Sequence, residues 1–202
     1  MRSYTLTEFA ANLERVKNLV AIYEEIQLPG AGRRSVKAAD TLRAAVVFLH
    51  SALEEVVRNT FLWKLPLAES AALDDIPLVG LSPTQRAVPF LLGKLAPHRG
   101  RFVDNIIRES IDSYVDHMNV NSTNELSRCL KMIGLDPNAF SSHFSELQAM
   151  MERRHQIVHQ MDRNHVSGTG RHRAQSISVR QVCAWRDNLA SFVQAVVATI
   201  PD

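Results

Sequence analysis

Cysteine is scarce in this sequence, where only Cys129 and Cys183 occur and both lie within apolar helical patterns. This scarcity excludes a disulfide-rich secreted scaffold, and we expect two reduced core thiols in a reducing compartment. Long apolar runs are also missing, because the longest stretches, 44–49 and 192–200, are far shorter than the roughly 20 residues that span a bilayer. The charges spread through residues 1–17 lead us to expect no secretory signal and no membrane span.

An excess of charge of one sign is absent as well. The 23 Lys and Arg residues nearly balance the 21 Asp and Glu residues, which gives a net charge of +2. Such a small charge does not by itself predict nucleic-acid binding, which depends on local clusters of cations. A hydrophobic content of 46% and a charged content of 22% exclude a disordered or fibrous chain. We therefore expect one globular domain over residues 1–202.

Helical periodicity dominates the sequence, and no segment alternates with the period of two that predicts a half-buried strand. Capping residues followed three positions later by Glu or Gln mark helix starts at Thr5, Ser122 and Ser178. The predicted helices cover 5–27, 35–64, 82–96, 102–117, 122–134, 137–163 and a final segment from 178. An irregular segment with one short helix is expected at 65–81. The pattern predicts an all-α bundle of about seven helices.

Three predicted helices carry apolar stripes at steps of three and four residues. The second helix has Leu42, Val46, Leu49, Leu53, Val57 and Phe61, and the last has Val182, Trp185, Leu189, Phe192 and Val196. The penultimate helix has Phe140, Phe144, Leu147, Met151, Arg154, Val158 and Met161. One position of that stripe is therefore an arginine where the pattern predicts a hydrocarbon.

Arg154 needs a partner, because an unpaired buried charge costs several kcal/mol. Its neighbours three and four positions away on the helix are Met150, Met151, Ile157 and Val158. A structural explanation is a salt bridge to Glu54 or Glu55 on the second helix. The alternative is a polar cleft in which the guanidinium meets a phosphate, and two histidines nearby favour that alternative.

His155 and His159 lie four residues apart on one helical face, and about 140° separates Arg154 from His159. Metal-independent cleavage of RNA needs these residue types: one imidazole removes the 2′-hydroxyl proton and another protonates the leaving 5′-oxygen. Arginine stabilises the negative charge that gathers on the phosphate oxygens. One helix offers both histidines, but a symmetric dimer would offer two copies of His159 across its two-fold axis. We therefore expect a homodimeric enzyme without a cofactor.

The segment Arg154-His155-Gln156-Ile157-Val158-His159 resembles the signature of the HEPN superfamily: an arginine, a polar residue and, after three more, a histidine. Segments 49–55 and 130–135 extend the similarity, which is closest to the RiboL-PSP-HEPN branch. The resemblance implies a bundle that carries the motif on a late helix and dimerises through it. In many branches such domains are metal-independent endoribonucleases of toxin–antitoxin or antiviral defence systems.

The resemblance makes Arg154 and His159 the catalytic pair and His155 the polar support beside the arginine. It also implies RNA as substrate, a second copy of the chain as partner and, as a further partner, an antitoxin or defence-system protein. The expected reduced thiols and the lack of an evident secretory signal predict a cytoplasmic protein. Some HEPN toxins have a modified tyrosine two residues after the histidine, where this chain has Met161. Adenylylation at that position is therefore not expected.

Three alternatives to a nuclease remain open. His155 and His159 have the spacing of two zinc ligands on a helix, but Gln156 replaces the glutamate that a zinc protease needs and no third ligand is evident. A metal site is therefore not expected. The domain could instead be a non-catalytic nucleotide-binding or dimerisation module, because a fold does not settle activity. Its apolar helices and the Met150-Met151 pair would also suit a purely protein-binding role.

The loop after the motif helix contains Arg163, Arg171 and Arg173 together with Gly168 and Gly170. This composition is typical of a solvated loop. Beside an active site, the same cations could contact RNA phosphates and give affinity without base specificity. We therefore predict that the three arginines bind RNA.

Overall fold

The computed structural model describes residues 1–27, 35–79, 92–162 and 174–200. The α-helices in these ranges are α1 (Arg2–Ile26), α2 (Val36–Lys64), α3 (Ser70–Leu73), α4 (Val103–Asp116), α5 (Thr123–Met132), α6 (Phe144–Gln160) and α7 (Val179–Thr199). Short 3₁₀ segments cover Leu65–Leu67, Leu92–His98 and Pro137–His143. Within the described ranges there is no β-strand, and none of the helices combines the length and the apolar character of a membrane span. The predicted all-α fold is confirmed.

α2 is the central helix because it is apolar over a wide face. Its predicted stripe is buried throughout, and a row of small side chains beside it is buried as well: Ala38, Ala45 and Ala52. α1 packs along α2, and α4, α6 and α7 also contact it. Each fully buried leucine or phenylalanine of this core stabilises the fold by roughly 1.5–3 kcal/mol. α1, α4, α6 and α7 are therefore positioned against α2.

α7 holds the start of α6 in place. Its predicted apolar stripe is buried, and Phe192 meets Phe140 edge-on with ring centroids 6.0 Å apart. Asn188 makes two hydrogen bonds to His143. Its Oδ1 lies 2.9 Å from the ring Nδ1, and its Nδ2 donates to the backbone carbonyl of His143 at 3.1 Å. These contacts fix the 3₁₀ segment that leads directly into α6.

Two predicted helix caps are present. The hydroxyls of Ser122 and Ser178 accept hydrogen bonds from the backbone N–H groups of Glu125 and Gln181, both at 3.2 Å. The carboxylate of Glu125 accepts in return from the N–H of Asn121 at 2.6 Å, one residue before the cap. These bonds satisfy N–H groups that a helix start leaves without partners.

Two predicted helices that precede α4 differ from the structure. α1 begins at Arg2 rather than at Thr5, so the Thr5 hydroxyl lies inside the helix and donates back to the Met1 carbonyl at 3.3 Å. Residues 92–98, the described end of predicted helix 82–96, form a 3₁₀ segment that contains Pro97. Proline cannot donate the backbone hydrogen bond that an α-helix needs. Residues 80–91 lie outside the described part of the chain.

The two cysteines are free thiols, as expected. Cys129 is buried, and this burial raises the pKa of its thiol to about 11. Cys183 is only half-buried, so the prediction of two buried core thiols holds for Cys129 alone.

Candidate functional site

The helix that carries the motif is shorter than the predicted segment 137–163. Asp136 caps its beginning, where Oδ1 accepts from the N–H of Asn138 at 3.0 Å, but residues 137–143 are 3₁₀. α6 itself starts at Phe144 and ends at Gln160. The motif therefore occupies the last two turns of α6, close to its carboxyl end.

The buried arginine of α6 is Arg153 rather than Arg154. Arg153 is 8% exposed, whereas Arg154 is half-buried. Two later members of the predicted stripe face solvent, Val158 at 45% and Met161 at 72% exposure. The predicted stripe is therefore wrong beyond Met151. Both Met150 and Met151 are buried, so the sequence is compatible with two different rows of core residues along α6. The core follows the row through residues 153 and 157 instead of the row through 154 and 158.

Arg153 is neutralised by a buried carboxylate. Its Nη2 donates to Asp162 Oδ2 at 2.9 Å, and Nε of Arg43 on α2 donates to the same oxygen at 2.6 Å. Both arginines also donate to the backbone carbonyl of Gln175, at 3.1 and 3.0 Å. Burial lowers the pKa of Arg153, Asp162 opposes this effect, and Arg43 adds to it. Arg43, Arg153, Asp162 and Gln175 are called the clamp below.

The clamp also holds an unusual turn at the end of α6. Met161 and Asp162 have φ angles of 53° and 55°, in the left-handed region that non-glycine residues rarely adopt. The N–H of Asp162 donates to the Gln156 carbonyl at 2.9 Å, and its own carbonyl accepts from Gln175 N–H at 2.8 Å. The clamp therefore joins the end of α6 to α2 and to the segment before α7.

Arg154 points toward different neighbours. Its Nη1 lies 3.4 Å from Asn121 Oδ1, and its charge acts on Glu54 of α2. Among the described residues, its buried Nε–H has no hydrogen-bond acceptor. Within the described ranges, Arg154 is thus paired less completely than Arg153.

Glu54 is held by a buried histidine. Nε2 of His50 lies 2.9 Å from the Val120 carbonyl, so it must carry a hydrogen, and Nδ1 lies 3.4 Å from Glu54 Oε2. Glu54 Oε1 accepts from the Val120 N–H at 3.3 Å. Burial raises the pKa of Glu54, but His50, the Val120 N–H and Arg154 together outweigh it, so the pKa is lowered. The carboxylate that faces Arg154 is therefore ionised at neutral pH.

A lowered pKa makes Glu54 a source of stability that depends on pH. Its contribution is complete above its ordinary pKa of 4.5 and is lost as the pH falls through the lower folded-state value. Glu54→Gln should cost about 1 kcal/mol at pH 7, because it removes a carboxylate charge that interacts with His50 and Arg154, and less below pH 4.5. Urea unfolding of both proteins at several pH values measures this.

Glu55→Gln is the matched control for that experiment. Glu55 is the next residue on α2, and its 40% exposed side chain makes one contact to Asn59 and a long one to Arg58. Its replacement should change stability by less than about 0.5 kcal/mol at either pH. A cost of Glu54→Gln that stays constant between pH 7 and pH 3.5 would contradict the assigned role of Glu54.

The two motif histidines contact each other. The rings of His155 and His159 have centroids 4.8 Å apart and planes inclined by 44°, and both side chains are exposed. The structure therefore brings together two of the three predicted catalytic residues. Arg154 begins on the same two turns but reaches toward Asn121 and α2.

The remaining predicted site residues lie outside the described residues. Arg163, Arg171 and Arg173 belong to 163–173, so their proposed contact with RNA stays a prediction. In the ranges that the structure describes, no group of three or more His, Cys, Asp and Glu side chains is arranged to hold a metal ion.

Sequence reasoning missed the clamp and Asn121. Arg43 and Asp162 are 119 positions apart, and no local pattern connects them. The sequence contained one signal: two adjacent arginines lie at the edge of an apolar stripe. Either of the two arginines fits the position that is buried and needs a carboxylate partner.

Comparison with protein families identifies the chain. The family model described as RiboL-PSP-HEPN matches residues 10–201, which include every helix from α2 to α7. The chain belongs to the RiboL-PSP-HEPN family. Comparisons with curated proteins and with solved structures gave no match. The predicted resemblance, including its branch, is thus confirmed.

Membership of this family also bears on function in general terms. A HEPN domain is a nuclease or a nucleotide-binding module, and HEPN domains commonly bind RNA and dimerise. In this HEPN domain, the match includes the whole of α6 with Arg154, His155 and His159.

Proposed function

We propose that this HEPN domain is a metal-independent endoribonuclease that cleaves single-stranded RNA. The observation that carries the proposal is that two adjacent arginines have different contacts. Arg153 is paired with Asp162, whereas the half-buried Arg154 has one long contact, 3.4 Å from Nη1 to Asn121 Oδ1, and makes no ion pair with the described residues. His155 and His159 are exposed on the same two turns of α6. Because the clamp already satisfies the structural need for charge, the guanidinium of Arg154 remains for a ligand, and phosphate suits it.

The chemistry is a transfer of the phosphodiester to the neighbouring ribose oxygen. One imidazole takes the proton of the 2′-hydroxyl, the 2′-oxygen bonds to phosphorus, and the bond to the 5′-oxygen breaks. A second imidazole protonates that 5′-oxygen, and Arg154 stabilises the charge on the remaining phosphate oxygens. His159 supplies one imidazole, and the other comes from His155 or from a second copy of His159.

A homodimer is part of the proposal. Val158 on α6 and Met161, the residue that follows α6, are large apolar side chains on either side of His159 in the sequence, and both are exposed in the single chain. A symmetric interface over them would bury apolar surface and bring both copies of α6 together. We propose one domain over residues 1–202 that acts in the cytoplasm in a toxin–antitoxin or antiviral system with an antitoxin or defence-system partner. Arg163, Arg171 and Arg173 would bind the RNA backbone.

Purified protein is expected to cut single-stranded RNA in the presence of a chelator. The products should be 2′,3′-cyclic phosphate and 5′-hydroxyl ends, because the 2′-oxygen displaces the 5′-oxygen. Mass spectrometry of a short labelled RNA measures both ends. The matched control is the same RNA with a 2′-O-methyl group at the cleavage site, which should stay intact.

Three outcomes would overturn the proposal. Cleavage that stops with chelator, or that leaves 5′-phosphate ends, requires a different mechanism. Binding of RNA or of a nucleotide without any cleavage identifies a non-catalytic module, in which the guanidinium of Arg154 would still bind a phosphate. Binding that weakens as salt rises is expected in either case.

A further inference from the structure

Arg154 meets an uncharged partner on a neighbouring segment. Its Nη1 lies 3.4 Å from Oδ1 of Asn121, within residues 117–122, which join α4 to α5. The preceding arginine of α6, Arg153, instead meets the carboxylate of Asp162 at 2.9 Å. Asparagine and aspartate have nearly the same shape and differ in charge. The side chain that contacts Arg154 therefore offers an acceptor oxygen but no negative charge.

The backbone beside Asn121 is held by α2. The preceding residue, Val120, is fully buried, and its carbonyl lies 2.9 Å from Nε2 of His50. The N–H of Val120 donates to Oε1 of Glu54 at 3.3 Å. His50 and Glu54 also contact each other, with 3.4 Å between Nδ1 and Oε2. Two side chains of one rigid helix thus bind both backbone polar groups of the residue next to Asn121.

The other side of Asn121 is tied to α6 itself. The N–H of Asn121 donates to Oε2 of Glu125 at 2.6 Å. The N–H and the hydroxyl of Thr123 both donate to Oε1 of Gln148, at 2.9 and 3.1 Å. Gln148 lies on α6, so the helix that carries Arg154 also holds the segment that carries its partner. These contacts place Asn121 beside Arg154 without any help from RNA.

We propose that Asn121 is a positioning residue that directs the guanidinium of Arg154 toward phosphate without neutralising it. This inference rests on the proposed ribonuclease function and adds to it the residue that orients its arginine. A long side chain without a nearby acceptor samples many rotamers, and ordering them opposes binding. A carboxylate in the same place would form an ion pair, which phosphate would have to displace. An amide oxygen directs the guanidinium and leaves its charge for the ligand.

Glu54 does not take the place of Asn121. Its charge attracts Arg154, which contributes to the lowered pKa of Glu54. Its two oxygens, however, are bound by His50 and by the Val120 N–H, and among the described residues it makes no ion pair with Arg154. Glu54 therefore acts on Arg154 through space, whereas Asn121 contacts it directly.

The variant Asn121→Asp tests the proposal because it changes the charge and keeps the shape. It should weaken binding of a fully 2′-O-methylated RNA by about 10-fold, since the new carboxylate pairs with Arg154 and repels phosphate. Asn121→Ala should instead lower kcat by about 10-fold with KM nearly unchanged, because a misdirected guanidinium still attracts RNA but misses the reacting phosphate. Fluorescence anisotropy with the methylated RNA and initial rates with cleavable RNA in chelator measure these effects.

Asn119→Asp is the matched control. It makes the same change of charge on the same exposed segment, but Asn119 contacts the His117 carbonyl, at 3.5 Å, rather than Arg154. Its binding and cleavage should stay within about 2-fold of wild type. All three variants should unfold at the urea concentration that unfolds wild type, because both asparagines are exposed. A purely structural contact would instead lower stability and activity together.

Three results would overturn the positioning role. They are wild-type binding and rates in both Asn121 variants, equal losses in Asn119→Asp and Asn121→Asp, and a urea midpoint that falls in step with activity. A wild-type protein that binds RNA but leaves it intact would reject the proposed ribonuclease function alone. The anisotropy comparison would then still show whether Asn121 keeps Arg154 available for phosphate. A wild-type protein that neither cuts nor binds RNA would reject both.

Discussion

Replacing His159 by alanine is expected to lower the rate of RNA cleavage by about 10²–10⁴-fold, the usual contribution of a positioned acid or base. The ring is exposed at the end of α6, so its removal leaves the core unchanged. Initial rates with labelled RNA in chelator measure the loss. Circular dichroism and urea unfolding should show the same fold, with stability within about 0.5 kcal/mol of wild type.

Two controls separate chemistry from general effects of substitution. Gln160→Ala changes the next residue of α6, which is also exposed, and should keep nearly full activity. His117→Ala removes an exposed histidine at the end of α4 and should also be active. Cleavage by His159→Ala at the wild-type rate would exclude His159 from the reaction and with it the proposed mechanism.

Asp162→Asn is expected to destabilise the protein by roughly 3–5 kcal/mol, the cost of leaving a buried charge without its counter-ion. The substitution keeps the shape of the side chain, and asparagine tolerates the left-handed backbone that Asp162 adopts. What remains is the loss of charge between Arg43 and Arg153, both of which donate to Asp162 Oδ2. The free energy of unfolding in urea at pH 7 measures the effect.

Asp40→Asn is the matched control for the clamp. Asp40 also bonds Arg43, at 2.9 Å, but its side chain is 64% exposed, so its replacement should cost less than about 1 kcal/mol. The double variant Asp162→Asn/Arg153→Met should be more stable than Asp162→Asn alone, because it removes one of the stranded cations. Equal destabilisation by Asp40→Asn and Asp162→Asn would show that the clamp is not the main ionic contact.

The helices and the core were predictable because their signals are local. The stripe of α2, which includes Leu42 and Phe61, and the caps at Ser122 and Ser178 require only neighbours within a few residues. The motif at the end of α6 was also readable, since it is six consecutive residues. Periodicity and capping therefore gave the fold class, most boundaries and the position of the candidate site.

The face of α6 was not predictable in the same way. Both Met150 and Met151 are apolar and buried, so the sequence permits two core rows that differ by 100° of rotation. Which row is buried depends on Asp162, which lies in the turn after α6 and accepts a hydrogen bond from Arg153. A partner placed by tertiary structure thus decides which of two adjacent arginines is buried, and periodicity alone cannot supply that information.

One rigid helix sets both anchor points of the site. Arg43 and Glu54 lie on α2, eleven residues and therefore roughly 16 Å apart along its axis. Arg43 anchors the turn after α6 and Glu54 faces Arg154, so the spacing of these two residues along α2 fixes the position of the motif. Inserting a single residue between them would rotate one anchor by about 100° relative to the other. Related sequences that keep this chemistry should therefore vary the residue types along this stretch of α2 but not its length.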